Sequence, residues 1–311
     1  MSAWLPGLVT KAQSGFFWVR TSQGDFVCRL RGRLKQVRQA SDLAAVGDRV
    51  EIARQPDGTG TIEAVAPRAR VLSRRAPGGY GRRGARAGAE AEQVIVANPD
   101  QVIFVFACAQ PAPRLPMLDR FLVVAEANAL PAVIAANKAD LVTPEQATAL
   151  FGLYAPLGYP VHYTSAVTGQ GTAALRERVR GKLSVLAGPS GVGKSSLLNA
   201  LQPGLGLKAR AVSAATSKGR HTTVYPELLA LDEGGYLADT PGLRALGLWD
   251  VEPEELDGYF VEIRPYVEQC AFNDCTHLNE RGCAVRAAVA AGAIASSRYE
   301  SYVKLRLGEE E

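Results

Sequence analysis

The stretch Leu183–Ala200, L-S-V-L-A-G-P-S-G-V-G-K-S-S-L-L-N-A, decides the fold. Its first five residues are apolar apart from Ser184 and predict a buried strand, and the residues from Ser195 to Leu201 follow a helical pattern. Between the two, the sequence matches the phosphate-loop pattern G-x-x-x-x-G-K-[ST]. In such a loop the backbone N–H groups close around the phosphates of a nucleotide, and the positive end of the following helix faces them. We therefore predict a nucleotide-binding domain of the α/β class.

The residue types of this loop predict separate roles. Lys194 would reach the β- and γ-phosphates and take part in catalysis, and Ser195 would place its hydroxyl on Mg²⁺. The strand before the loop and the helix after it favour a nucleotide site over a Gly-rich turn of purely structural role. The residues expected to contact the nucleotide are Gly188, Ser190, Gly191, Val192, Gly193, Lys194, Ser195 and Ser196.

Two short motifs before the phosphate loop predict the choice of base. Asn137-Lys138-Ala139-Asp140 follows a predicted strand, at the carboxyl end where ligands bind in such sheets. An aspartate there accepts hydrogen bonds from guanine N1–H and its N2 amine, donors that adenine lacks in that position. Thr164-Ser165-Ala166 ends the next strand and would offer backbone N–H groups to guanine O6. The predicted guanine contacts are Asn137, Lys138, Asp140, Ser165 and Ala166.

Two motifs after the phosphate loop are expected near the γ-phosphate and Mg²⁺. In Asp239-Thr240-Pro241-Gly242 the carboxylate suits an outer-shell Mg²⁺ contact, and the N–H of Gly242 can meet the γ-phosphate. In Gly219-Arg220-His221-Thr222-Thr223 a threonine hydroxyl would complete the Mg²⁺ shell. Spacing does not choose between Thr222 and Thr223; both are taken as nucleotide contacts, and Thr223 as the metal ligand together with Ser195.

The alternation of strands and helices from Gln93 onward predicts a mostly parallel, doubly wound sheet. The predicted strands, beside the phosphate-loop strand, are Asp100–Ala107, Ala132–Ala136, Pro160–Thr164, Tyr225–Leu231 and Gly235–Asp239. The predicted helices, beside the one after the phosphate loop, are Leu118–Asn128, Pro144–Tyr154 with Thr143 as N-cap, and Thr172–Gly181. N-K-x-D and T-S-A precede the phosphate loop, whereas in a Ras-like chain they follow it. The sequence therefore predicts a circularly permuted GTPase, since permutation only rejoins surface termini.

The first 66 residues predict a small β-barrel of the OB type, because they contain five short strand patterns and no good helix. The strands are expected at Gly7–Thr10, Gly15–Thr21, Asp25–Leu30, Gly47–Ala53 and Gly60–Val65. Phe16, Phe17 and Trp18 are interleaved with basic residues, a pattern typical of RNA-binding barrels. Alternation puts Phe17 on the opposite face from Phe16 and Trp18.

The charge is uneven along the chain. Residues 1–98 hold 16 Lys and Arg against 8 Asp and Glu, and the remainder is mildly acidic. The segment Pro67–Gly88 carries seven arginines, among them Arg82, Arg83 and Arg86, and no acidic residue. We interpret the part from Arg74 to Gly88 as a flexible basic linker, and the front half as the part that meets a polyanion. A solvated basic surface is the alternative.

The cysteines indicate a metal site near the C-terminus. Cys270-x₄-Cys275-x-His277-x₅-Cys283 matches a closed, tetrahedral Cys₃His zinc site of structural type. The alternative is a set of unrelated small core residues. The other cysteines, Cys28 and Cys108, lie in apolar strand patterns and are expected to be buried hydrophobes. Five cysteines without a secretory signal favour a reducing compartment, and no apolar run reaches the length of a membrane span.

These features together resemble the ribosome small-subunit-dependent GTPases (RsgA/YjeQ type) along essentially the whole chain. The resemblance implies an OB barrel at 1–66, a basic linker at 67–92, a circularly permuted GTPase domain at 93–247 and a mainly helical zinc-binding domain at 248–311. It also implies GTP hydrolysis with Mg²⁺, one structural Zn²⁺, and binding to the small ribosomal subunit and its rRNA during late maturation. A cytoplasmic protein without a membrane partner, active as a monomer, is expected.

The residue after D-T-P-G is Leu243, where Ras-like enzymes carry the glutamine that orients the attacking water. Slow intrinsic turnover is therefore expected. His221 is the nearest candidate for a catalytic replacement, and the resemblance implies the same role; its alternative is a switch-loop residue that holds backbone or phosphate. An RNA-binding adaptor that uses GTP with negligible hydrolysis is the second functional hypothesis. A small-molecule kinase is disfavoured, because N-K-x-D would then have no role.

Overall fold

The N-terminal part of the molecule is a closed barrel of five strands. The structure is a computed structural model that describes residues 4–32, 34, 43–75, 92–204, 227–239 and 251–309. The barrel strands are β1 Leu5–Gln13, β2 Phe16–Thr21, β3 Gly24–Leu30, β4 Arg49–Arg54 and β5 Gly60–Val65. Strand β1 pairs with both β2 and β4, and β3 runs parallel to β5, so the order β1-β2-β3-β5-β4 closes on itself.

Alternation along β2 separates the barrel core from its outer face. Phe17 and Val19 are buried in the core, where they pack with Val9, Phe26 and Ile52. Phe16 and Trp18 point the other way and are only half-buried. The sequence prediction for these aromatic residues is confirmed, because residues of opposite parity in a strand face opposite sides.

A hairpin connects the barrel to the central domain, and it corrects the predicted extent of the linker. Strand β6, Val71–Arg75, pairs antiparallel with β7, Glu92–Ala97. Leu72 and Val96 are buried in the core of the central domain. The prediction that residues 67–92 are all linker was therefore wrong for β6, since the arginines on both sides of Val71 and Leu72 outnumber these two apolar residues, which anchor the strand. Residues 76–91 of the predicted linker, with Arg82, Arg83 and Arg86, lie outside the described residues.

In its described residues, the central domain is a six-stranded sheet with helices on both faces. Its strands are β8 Gln101–Ala107, β9 Ala132–Asn137, β10 Val161–Tyr163, β11 Leu183–Ala187, β12 Glu227–Ala230 and β13 Tyr236–Asp239. Its helices are α1 Leu115–Ala127, α2 Pro144–Phe151, α3 Thr172–Val179 and α4 Lys194–Leu201. The order is β10-β9-β8-β11-β13-β12, parallel except for β12. The predicted fold class, a doubly wound sheet, is confirmed.

Local sequence explains where these helices begin. Thr143 caps α2 through a capping box, in which its hydroxyl accepts from the Gln146 N–H and the Gln146 side chain returns to the Thr143 backbone. Helix α1 begins earlier than predicted, at Leu115, because Pro116 is favourable in a first helical turn. Helix α2 ends at Phe151 and passes into a 3₁₀ turn up to Tyr154, so that predicted helix is slightly shorter than expected.

The barrel and the central sheet are joined by hydrogen bonds between one strand of each. Strand β12, at the edge of the central sheet, pairs antiparallel with β1 at Lys11 and Glu227. The ammonium of Lys11 lies 3.1 Å from the Glu227 carboxylate. The described part of the chain thus contains one continuous sheet of 11 strands that passes from the barrel into the nucleotide-binding domain.

Four short helices form the C-terminal region. They are α5 Leu256–Tyr259, α6 Arg264–Val267, α7 Ala284–Ala290 and α8 Ser296–Arg306. Their shared core includes Phe260, Ile263 and Tyr302, and it packs on Val123 of α1. Among the described residues, no helix is both long enough and apolar enough to cross a membrane.

A buried ionic network also fixes α8 to α1. Arg298 is 1% exposed and donates to Asp119 at 2.7 Å and to Glu262 at 2.5 Å. The Asp119 carboxylate also accepts from the hydroxyls of Tyr154 and Ser301, at 2.7 and 2.5 Å. Buried polar groups need hydrogen-bond partners, and this carboxylate has three donors in place of water. The network therefore ties the C-terminal helices to the central domain by charge as well as by apolar packing.

Candidate nucleotide site and metal cluster

The phosphate loop lies between β11 and α4, as the sequence predicts. Gly188 and Gly193 have φ values of 150° and 94°, a backbone region that residues other than glycine rarely adopt. A Cβ on Gly188 would lie 2.1 Å from the carbonyl oxygen of Val105, in β8. Glycine is therefore required here both by conformation and by the close approach of the neighbouring strand.

The Lys194 ammonium lies over the same loop. It donates to the carbonyl oxygens of Gly188 and Pro189 at 2.8 and 2.7 Å. Lys194 is the first residue of α4, so its positive charge stands at the positive end of that helix. This arrangement attracts an anion to the loop.

Asn137 connects three of the predicted motifs. It ends β9, is 1% exposed, and donates from Nδ2 to the carbonyl of Val192 in the phosphate loop at 2.8 Å. Its Oδ1 accepts from the hydroxyl of Thr164 at 3.2 Å. A Cβ on Gly193 would meet this amide at 2.5 Å. The asparagine thus braces the phosphate loop against the T-S-A turn rather than pointing into solvent.

Lys138 and Asp140 follow on the next turn. Lys138 adopts the left-handed conformation, with φ 58°, and its ammonium donates to the carbonyl of Gly191 at 2.8 Å and to that of Gln110. Asp140 is exposed in a 3₁₀ turn and is close enough to the thiol of Cys108 to affect it. Burial, with the nearby Asp140 charge, raises the pKa of Cys108 to about 11, so this cysteine stays protonated.

The T-S-A turn is organised by hydrogen bonds of its own. The buried hydroxyl of Ser165 accepts from the N–H groups of Val167 and Thr168, at 3.3 and 3.1 Å. The backbone N–H of Ser165 donates to the carbonyl of Gln170 at 2.9 Å. Ala166, between these residues, is only partly buried. The turn therefore uses Ser165 internally and presents Ala166 at the surface, beside the Asn137 motif.

The remaining nucleotide motifs are described only in part. Asp239 is the last residue of β13, level with Leu186 of β11, which leads into the phosphate loop. Its backbone therefore ends at the same edge of the sheet as the phosphate loop and the N-K-x-D motif. His221, Thr222, Thr223, Gly242 and Leu243 lie outside the described residues.

The C-terminal cysteines and histidine form a cluster that could hold a metal ion. One ligand atom from each of Cys270, Cys275, His277 and Cys283 lies within 4.8 Å of the others. His277 Nδ1 is 3.5 Å from the Cys270 sulfur and 3.4 Å from the Cys283 sulfur. Three thiols and an imidazole at these distances match the donor set of a tetrahedral site.

The surroundings of the cluster suit a metal as well. Nε2 of His277 lies 3.2 Å from the carboxylate of Asp257, so Nδ1 is left for the metal. Burial opposes ionisation of Cys270, but hydrogen bonds from the backbone of Ala284 and Val285 and from the thiols of Cys275 and Cys283 together outweigh it, and the pKa of Cys270 lies below its usual value. A thiolate is the form that binds a metal.

Several residues of the site carried no readable signal in the sequence. Gln110 contributes a carbonyl to Lys138, and backbone acceptors are invisible in residue type. Asp257 stands 20 positions before His277 in a segment with many acids, so nothing singles it out. The Asp119–Arg298 pair is 179 positions apart in sequence. A charged residue within the apolar pattern of α1 is the one hint that Asp119 is buried with a partner.

Comparison with known proteins agrees with this geometry. Residues 65–249 match the family described as RsgA GTPase, and residues 6–62 match the RsgA N-terminal domain. A protein of Gemmatimonas aurantiaca named small ribosomal subunit biogenesis GTPase RsgA is 53% identical over 304 residues, which cover 96% of each chain. A protein of the same name from Moorella thermoacetica is 43% identical over 299 residues, which cover 96% of this chain and 95% of the relative.

Solved structures agree with the order of the motifs. YjeQ from Thermotoga maritima superposes with a TM-score of 0.77 at 39% identity, covering 98% of both chains. The structure of YloQ, titled a circularly permuted GTPase, superposes with a TM-score of 0.74 at 31% identity, covering 98% of this chain and 95% of that one. The permuted order of the nucleotide motifs thus agrees with that of a solved GTPase, and the chain belongs to the RsgA GTPase family.

Proposed function

We propose that this protein binds the small ribosomal subunit, assists its late maturation, and hydrolyses GTP faster when bound there. The observation that carries the proposal is the link through Asn137, which joins the phosphate loop and the guanine motif into one site. The names of the relatives supply the subunit. On this proposal the protein acts in the cytoplasm as a monomer, with the barrel at 1–66, the zinc-binding domain at 248–311, and β6 and β7 as part of the GTPase domain between them.

The proposed contacts follow the sequence motifs. Lys138 packs along the base, Asp140 accepts from the guanine N1–H and N2 amine, and Ala166 donates to O6 because the Ser165 N–H is already engaged. Asn137 and Ser165 act by holding these groups in place. The phosphate loop from Gly188 to Ser196 holds the phosphates, with Lys194 on the β- and γ-phosphates.

The proposed metal and switch roles complete the nucleotide site. Ser195 and Thr223 bind Mg²⁺ and Asp239 contacts it through water, while Thr222 and Gly242 contact the nucleotide. Mg²⁺ would neutralise the charge that develops on the phosphates. His221 is proposed to position the attacking water, because Leu243 has no polar group with which to do so.

The first prediction tests this role of His221. GTP turnover by purified protein should rise when small ribosomal subunits are added, and His221→Ala should remove most of that rise. A stimulation of ten- to a thousandfold corresponds to about 1.4–4 kcal/mol, which one positioned group can supply. Basal turnover and GTP affinity should change little, whereas Lys194→Ala should weaken nucleotide binding in both conditions.

The results separate the competing functions. If small subunits stimulate His221→Ala as strongly as the parent, the activating group is another residue or belongs to the ribosome. If the parent protein binds subunits in a GTP-dependent way but turns over no faster on them, the RNA-binding adaptor is the better description.

We propose that the C-terminal cluster holds one Zn²⁺ with a structural role. The cluster has four ligands and no evident open position, and Asp257 orients its histidine. The ion would stabilise the region where Tyr299 and Tyr302 donate to the carbonyls of His277 and Thr276, at 2.6 and 2.9 Å.

The second prediction concerns removal of this ion. Freshly reduced protein should contain about one zinc per chain, and Cys275→Ala should lower both the zinc content and the unfolding temperature of the C-terminal region. Cys28→Ala is the matched control, because Cys28 is a buried cysteine of the barrel far from the cluster. A disulfide among these cysteines, with no metal in reduced protein, would contradict the assignment.

A further inference from the structure

One row of directly opposed residues crosses the sheet from the nucleotide site to the barrel. Asp239 of β13 lies opposite Glu227 of β12, Glu227 lies opposite Lys11 of β1, and Lys11 lies opposite Trp18 of β2. We call these four residues the cross-strand row. Directly opposed residues of antiparallel strands are near neighbours, so each step of the row brings adjacent residues within contact distance.

Lys11 has two partners in this row. Its ammonium lies 3.1 Å from the Glu227 carboxylate and 5.4 Å from the centre of the Trp18 ring. The side chains of Lys11 and Glu227 are 32% and 51% exposed, so a ligand on the surface can reach both. Exposed ion pairs and cation–π contacts are weak, and a phosphate that approaches Lys11 can compete with them.

Trp18 belongs to a surface suited to single-stranded nucleic acid. Phe16, two residues away on the same face of β2, has the guanidinium of Arg29 over its ring at 4.5 Å. Two half-buried aromatic rings, each with a cation above it, offer stacking for bases and charge for phosphates. A nucleic acid bound on this face would therefore contact Lys11 or lie next to it.

The other end of the row leads to the residues proposed to hold Mg²⁺. Glu227 is the first residue of β12, and in the sequence it follows Thr223 by four positions. Asp239, opposite Glu227, is the first residue of the D-T-P-G motif. Glu227 is thus close in sequence to one magnesium motif and lies opposite the first residue of the other. A change in its contacts would take place next to both motifs.

We propose that Lys11 is a positioning residue that reports RNA binding on the barrel to the GTPase site. RNA on the Phe16–Trp18 face draws the Lys11 ammonium away from Glu227, and the start of β12 then moves relative to the magnesium motifs. Lys11 acts through Glu227 and touches neither the nucleotide nor the metal. The inference rests on the proposed function, in which the barrel meets ribosomal RNA and binding raises GTP turnover.

The test uses the full-length zinc-loaded protein and the variant Glu227→Gln, which removes the charge that competes for Lys11. Its affinity for a short labelled oligouridylate should rise by about two- to fivefold, the scale of one exposed ion pair. Its stimulation by small ribosomal subunits should fall by a similar factor, while basal turnover and GTP affinity stay unchanged. A residue with only a structural role would not raise RNA affinity while lowering stimulation.

The hairpin formed by β12 and β13 offers a matched control for Glu227. Glu233, in the turn between β12 and β13, forms an ion pair at 2.5 Å with Arg180 of the central domain, and both side chains are similarly exposed. Glu233→Gln should leave both RNA affinity and stimulation as in the parent. Lys11→Gln should lower both, and Lys11→Arg should retain both because it keeps the charge.

The two arms distinguish failure of this inference from failure of the proposed function. If Glu227→Gln leaves oligouridylate affinity unchanged, Glu227 and RNA do not compete for Lys11. This result would overturn the inference whether or not subunits stimulate GTP turnover. Raised affinity with full stimulation by subunits would make Lys11 an RNA contact without a positioning role, and would also overturn the inference. A parent protein that subunits do not stimulate refutes the proposed function.

Discussion

Asp140→Asn is expected to lower GTP affinity on the order of a hundredfold and to transfer the preference to xanthosine triphosphate. Asparagine presents an amide donor where the carboxylate accepted, and it therefore faces the guanine N2 amine donor to donor. A site built to hydrogen-bond a group discriminates by up to about 10⁴–10⁵. We expect only about a hundredfold loss because Asp140 is exposed, and water reduces the cost of the mismatch.

Competition of labelled GDP with unlabelled GTP, ATP and xanthosine triphosphate measures this change. Asp232→Asn is the matched control, because it alters an exposed aspartate of the same domain at the turn after β12. An Asp140→Asn protein that still prefers guanine would remove Asp140 from the base site and leave the role of the N-K-x-D motif to Asn137 and Lys138.

Arg298→Met is expected to lower the free energy of unfolding by about 3–5 kcal/mol, the usual cost of removing one partner from a buried ion pair. The side chain of Asp119 is 3% exposed and would be left buried without its guanidinium partner. Glu262 would lose its partner as well. The guanidinium also contacts the rings of Tyr154 and Phe260, and loss of these contacts would lower the free energy of unfolding further.

Urea unfolding followed by circular dichroism measures the loss. Arg306→Met is the control, since Arg306 lies in the same helix at its partly exposed end. The double variant Arg298→Met with Asp119→Asn should recover part of the loss, because it no longer buries that unpaired carboxylate. A loss below about 1 kcal/mol in Arg298→Met would mean that the network behaves like a surface salt bridge.

Much of the fold was readable from local sequence. The phosphate-loop strand was predicted with the bounds of β11, and the Thr143 cap of α2 was predicted correctly. These features depend on apolar runs, glycines and capping residues within a few positions of one another, where local preference and tertiary structure agree. The barrel strands were predicted for the same reason, since turn residues separate them at short intervals.

The features that sequence reasoning missed are those decided by distant partners. Strand β6 contains arginines that favour a linker, yet its pairing with β7 and the burial of Leu72 override that preference. Asn137 was predicted to contact the nucleotide, and the further link that its buried amide makes between the phosphate loop and Thr164 was not predicted. Residue type alone does not distinguish an amide that holds a loop from one that meets a ligand, because the donors and acceptors are the same.

The Asp119–Arg298 pair has a consequence for the order in which the chain is made. Asp119 leaves the ribosome early in synthesis, and its guanidinium partner follows 179 residues later, in the last helix. Domains fold during synthesis from the N-terminus, so the central sheet can form around Asp119 before Arg298 exists. A chain interrupted before α8 would bury the Asp119 carboxylate in the helical layer of that sheet without its guanidinium partner. Such fragments would be poorly folded and open to proteolysis, so that only the completed polypeptide persists.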